Sequence, residues 1–79
     1  PNPASDELII KSHFNNATIG TLELVSVDGK LVRQFAANHK FNEGYNVETY
    51  SVSNIASGNY VLRLRTSKQT LTQKVIVQH

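Results

Sequence analysis

Apolar residues recur along this chain with a period of two. From Tyr60 the order is Tyr60, Leu62 and Leu64 against Val61, Arg63 and Arg65. Successive side chains of an extended strand point to opposite faces, so this spacing gives one buried face and one wet face. No window keeps a helical stripe at i, i+3, i+4 and i+7 for three turns. The same alternation predicts strands over Glu7–His13, Thr21–Val27, Leu31–Phe35, Asn46–Val52 and Leu71–Val77, separated by polar turns.

The faces follow from parity. In the first strand Leu8 and Ile10 share one face, with Glu7, Ile9 and Lys11 on the other. In the second, Leu22 and Leu24 share a face, while Val25 and Val27 follow Glu23 on the opposite one. A strand apolar on both faces is expected to be central or covered. Tyr50 and Val52 are expected to point inward. The run Ala36–Gly44 lacks alternation and reads as a loop with room for one further short strand. This spacing of short strands predicts an all-β sandwich or barrel.

Several short stretches carry fold information. Pro1, Asn2 and Pro3 resist regular structure and read as a rigid lead-in from a linker. Asp28, Gly29 and Lys30 read as a hairpin turn, with Asp-Gly supplying the positive φ of a two-residue type I′ loop. Between the fourth and fifth strands Ile55 is expected to plug the core. Gly58 is expected to take a backbone shape costly for other residues. Tyr60, opening the next strand, resembles a tyrosine corner, its ring packed inside and its hydroxyl bonded to upstream backbone.

Length and composition narrow the function. With 79 residues and 39% apolar content, the chain has room for one small core and little for a catalytic cleft. It has no cysteine, hence neither a disulfide nor a thiolate metal site. No apolar run approaches the roughly 20 residues of a membrane helix, and no basic-then-apolar leader opens it. His13, His39 and His79 form no H-x-H or H-x-x-x-H pair, and Asp6 and Glu7 are adjacent, so they point to opposite faces. His13 falls at a strand end, His39 in the loop and His79 at the terminus, where it is compatible with a tag residue. Asn16-Ala17-Thr18 matches a glycosylation triplet, a short pattern common by chance. Catalysis, cofactors and metals are therefore not expected.

Net charge is +2, modest for nucleic-acid binding, and no tryptophan is present. Every acid lies at or before Glu48, and only Arg63, Arg65, Lys68 and Lys74 follow. The C-terminal part is expected to form a basic face, either solvated or docking an acidic partner. Val75, Ile76 and Val77 lie together near the end, in a docked strand or one awaiting a partner.

Taken in order, these residues resemble the type A C-terminal sorting domain of the type IX (Por) secretion system of Bacteroidota. The likeness runs from Pro1-Asn2-Pro3 through "LVSVDGKLV" and "VSNIASGNYVLRL" to "QKVIV". Ser26 stands where that family often has Asp, and Gln78 where a second Lys is frequent. The resemblance implies an immunoglobulin-like antiparallel β-sandwich of about seven strands, Greek-key in type. It implies a single domain over 1–79, excised from a larger secreted precursor whose cargo precedes it. It also implies partners: an outer-membrane translocon, a shuttle protein and a sortase, met between periplasm and cell surface. On this reading Lys74, Val75, Ile76 and Val77 are the recognised strand, and Arg63, Arg65 and Lys68 steer the encounter. An edge-strand dimer of the isolated domain is a further expectation. Two rival readings stand beside it: an immunoglobulin-like adhesion, spacer or carbohydrate-binding module, for which Phe41 and Tyr45 are the candidate aromatics, and a small nucleic-acid-binding barrel.

Overall fold

The structure, a computed structural model, describes residues 4–79; the lead-in residues Pro1, Asn2 and Pro3 lie outside the described residues. The described residues form six strands: β1 (Glu7–Phe14), β2 (Thr18–Ser26), β3 (Leu31–Phe41), β4 (Gly44–Ser51), β5 (Gly58–Thr66) and β6 (Thr70–Val77). About seven were expected. They make a four-stranded sheet in the order β3-β2-β5-β6 and a two-stranded sheet of β1 and β4, with every strand pair antiparallel.

β2 is apolar on both faces because it is central. It pairs with β3 on one side and β5 on the other, and residues 22–25 are all buried. The core between the sheets is built from Leu8 and Phe14 of β1, Leu22 and Leu24 of β2, and Leu62 and Leu64 of β5. Phe41, Val52, Ile55, Val75 and Val77 complete it. Ala4 belongs to it too. Its N–H donates to the Ile76 carbonyl, and Gln78 N–H donates to the Ala4 carbonyl, both at 2.8 Å. The start and end of the described chain thus lie side by side in a short parallel bridge.

Three local expectations need correction. Ala36–Gly44 is mostly strand, not loop: β3 runs to Phe41 and β4 starts at Gly44. The β2–β3 register shifts between Gly20 and Leu22, between Leu22 and Glu23, and between Leu24 and Val25. A bulge resets side-chain parity, so consecutive residues Phe35 and Ala36 both pack against the core and the period of two disappears. His39 therefore sits on a strand rather than in a loop. At the following corner Asn46 Nδ2 donates to the Asn42 carbonyl at 2.9 Å, and Asn42 N–H donates back to Asn46 Oδ1 at 3.1 Å. Gly44, at φ 95°, completes that turn from one sheet to the other.

The β2–β3 hairpin is not the expected type I′ loop. Gly29 has φ 89°, but Asp28 is not in the positive-φ region. Gly29 N–H donates to the Ser26 carbonyl at 2.9 Å, and Ser26 N–H to the Lys30 carbonyl at 2.8 Å. That is a three-residue loop closed by a G1 bulge. The Ser26 hydroxyl also donates to the Asp28 carboxylate and accepts from Lys30 N–H. The Ser26 contact, with Asp28's own N–H, holds the Asp28 carboxyl below its usual range.

Gly58 does not have the special backbone shape expected of it: its φ lies outside the left-handed region, and an added Cβ would make ordinary contact with the Tyr60 ring at 3.6 Å. The glycine with no room is Gly20. A Cβ there would lie 2.9 Å from Leu64 Cδ1 and 3.1 Å from the Arg65 carbonyl oxygen. Glycine inside a strand marks close approach of a neighbour, here β5.

Candidate recognition surface

β6 divides the C-terminal residues by parity. Val75 and Val77 point inward and are buried, while Lys74 and Ile76 face out. Ile76 remains 43% exposed. Directly paired residues of antiparallel strands share a face. Lys74 pairs with Val61, Val61 with Val25, and Val25 with Leu31, so one row crosses all four strands, apolar on β5, β2 and β3 and ending in Lys74 on β6. The next row reads Thr72, Arg63, Glu23 and Gln34.

That second row changes the charge picture. Glu23 is only 4% exposed although it faces outward. Arg63 donates to Glu23 Oε1 through Nε at 3.1 Å and Nη2 at 3.0 Å. Arg65 forks across the carboxylate, Nε to Oε1 at 2.9 Å and Nη2 to Oε2 at 3.1 Å. The Arg65 bonds, reinforced by Arg63, hold the Glu23 carboxyl below its ordinary value despite burial. The expected basic face is therefore partly neutralised, because an acid far away in sequence is the register partner of Arg63. Lys68 stands apart, exposed in the β5–β6 turn. There Thr66 Oγ1 accepts from the N–H groups of Lys68 at 3.2 Å and Gln69 at 3.1 Å.

Glu23 was missed in the sequence, though a signal existed. A lone carboxylate in an otherwise apolar central strand needs a partner, and Arg63-Leu64-Arg65 puts two guanidinium groups on one face of another strand.

The corner before β5 holds the other motif residues. Ile55 is buried, and the Tyr60 hydroxyl donates to the Ala56 carbonyl at 2.6 Å while its ring packs against the core. His79 closes over the same corner, its N–H donating to Ser57 Oγ at 3.1 Å and its Nε2 lying 2.7 Å from the Ile55 carbonyl oxygen.

Chemistry has little to work with. The described residues contain no group of three His, Cys, Asp or Glu side chains able to hold a metal ion. The recess at the end formed by the β1–β2 and β5–β6 loops measures about 830 Å³ and is lined by His13, Asn16, Thr18, Asn38, Arg65 and Lys68 among others. No carboxylate lines it, so it holds no paired carboxylates. The carbohydrate reading loses one aromatic: Phe41 is buried in the core at 1% exposure. Tyr45 is 86% exposed, its ring edge-on to His13 at 4.6 Å.

The described residues thus form two β-sheets around an apolar core, with Arg63 and Arg65 engaged by Glu23. The chain belongs to the family described as the secretion system C-terminal sorting domain, whose model matches residues 1–78. It is a C-terminal sorting signal for the type IX secretion system, a non-catalytic role that implies contact with that machinery and export towards the cell surface or extracellular space. No curated protein and no solved structure shows a significant match to it.

Proposed function

We propose that residues 1–79 act as one transferable domain, an immunoglobulin-like Greek-key sandwich at the end of a larger secreted precursor. The folded cargo ahead of it passes through the periplasm and is carried over the outer membrane by the translocon with its shuttle protein. A surface sortase then removes the domain. Neither nucleic acid nor a cofactor takes part. The outer face of β5 and β6 is what the machinery reads. Ile76 and Lys74 make the contact, Arg63, Arg65 and Lys68 tune the approach, and Val75 and Val77 hold the strand in place. Each exposed ion pair adds only about 0–1 kcal/mol, so the apolar contact carries most of the grip.

The observation that supports this reading is the parity of β6, which buries two apolar residues and presents Lys74 and Ile76 beside the Val61–Val25–Leu31 row. The test is a secreted reporter fused to residues 1–79. Ile76→Asp combined with Lys74→Glu should leave the domain folded by circular dichroism yet trap the reporter in the periplasm. Deleting everything from Lys74 should trap it too. Normal secretion of the double variant would reject the outer face as the recognised surface.

A further inference from the structure

The two sheets are unequal, two strands against four. On the side away from β3, β1 and β6 flank a recess. The inner face of β6 carries Leu71, Gln73, Val75 and Val77, opposite Leu64, Leu62, Tyr60 and Gly58. Val75 and Val77 are covered, but Leu71 is 44% exposed and Gln73 is also exposed. Between β1 and β6 runs a groove made of two adjoining recesses of about 530 and 120 Å³, which share Ile10, Lys11, Leu62 and Gln73. Its floor is apolar, and one wall is the edge of β1. Among the described residues β1 pairs only with β4, so alternate N–H and C=O groups on its far edge face the groove without a strand beside them.

We propose that this groove binds an extended peptide as an added strand on β1, apolar at alternate positions and carrying a carboxylate where it passes Lys11. Four features lead to this occupant. An open strand edge offers backbone hydrogen bonds, and alternate guest side chains then fall onto the apolar floor. Lys11 is the one charged side chain lining the groove, which selects an acid on the outward face. Gln73 supplies both a donor and an acceptor within an otherwise apolar strip. A folded second copy is not the occupant this lining selects. Two copies joined antiparallel along Leu8–Ser12 would set both Lys11 side chains on one face, with no acid lining the groove to balance them. The groove follows β1 from Leu8 to Ser12, the length of about five extended residues. This site is distinct from the outer face of β5 and β6.

The test uses the isotope-labelled 79-residue chain and a capped pentapeptide, acetyl-Thr-Val-Glu-Val-Thr-amide, titrated by amide NMR. Saturable shifts should appear at residues 8–12 and 71–73, with Kd of about 1 mM. A central Lys in place of Glu should weaken binding about 2–5-fold, and Lys11→Glu should reverse that order. Lys11 is exposed, so the variant keeps the fold. A central Pro removes the N–H that strand addition needs and should weaken binding at least about tenfold. The proposal is overturned by shifts confined to other regions, by no saturation, by an unreversed charge order or by a proline peptide that binds equally well. Shifts at the same residues on concentrating the protein alone would also overturn it, making a second copy the occupant.

Discussion

Along the β3–β4 seam the sheets are laced together by rings and charges, whereas along the β1–β6 seam they part. On the first, Phe35 of β3 stacks on Tyr50 of β4 with centroids 4.9 Å apart, and within β3 His39 meets Phe41 edge-on at 4.7 Å. Glu48 ties both strands together, pairing with His39 Nε2 and accepting from the Tyr50 hydroxyl at 2.5 Å. Arg33 reaches Asn54 at 2.9 Å. On the second seam the facing residues are Leu71 and Gln73, with no ring among the groove's β1 and β6 residues. Large planar side chains bridge a gap between sheets that a leucine cannot. Where the chain places its rings therefore decides which side of the sandwich is sealed and which remains open to a guest.

The contrast is sharpest in stability. Phe41→Ala, in the core between the two seams, should cost about 3–5 kcal/mol in urea unfolding, enough to unfold so small a domain. Leu71→Ala, at the open one, should cost less than about 1 kcal/mol. Equal costs would mean that the open seam closes in solution. A second pair tests the glycines. Gly20→Ala drives a methyl into Leu64 and the β5 backbone and should cost about 1–3 kcal/mol. Gly58→Ala should stay within about 0.5 kcal/mol, and the reverse order would contradict the packing described.

Charge gives two smaller tests. Glu23→Gln removes the acceptor of two guanidinium groups and should cost about 1–3 kcal/mol at neutral pH. The Glu23 carboxyl is held below its ordinary value of 4.5. Its stabilisation is thus present above that pH and fades as pH falls through the lowered folded value. Thermal melts of the wild type should therefore lose ground to those of the variant on acidification. At the sealed seam, burial first and then Glu48 push the Tyr50 phenol up to about 12 from 10.0. The neutral phenol's contribution is complete below pH 10 and is lost as pH rises towards 12. Tyr50→Phe should cost about 0.5–1.5 kcal/mol at neutral pH and show a shallower alkaline decline.

Much of the fold was legible because burial on one face writes itself as a period of two. β1, β5 and the end of β6 follow it, and Leu62 and Leu64 point inward as parity requires, whereas β2 is buried on both faces. β3 was half lost because its bulges interrupt the alternation: Phe35 and Ala36 stand together where alternation would separate them, and Phe41 then points inward at an odd position again. Gly58 was misread because a glycine beside a tyrosine looks like a backbone requirement when the real constraint lies at Gly20, set by a strand more than 40 residues away. The recognition residues were only partly legible: parity splits Lys74 and Ile76 from Val75 and Val77, but the partnership of Glu23 with Arg63 and Arg65 depends on strand order. Composition counts charges and cannot pair them.

The folded domain is itself the address for export. The most direct measurement is the surface fluorescence of an inert reporter carrying an inner-membrane export signal and residues 1–79, in a host with the type IX machinery and in a mutant lacking it. The reporter should reach the surface or medium in the first and stay inside in the second. Retention in both, with the domain intact, would mean that residues 1–79 are not the address.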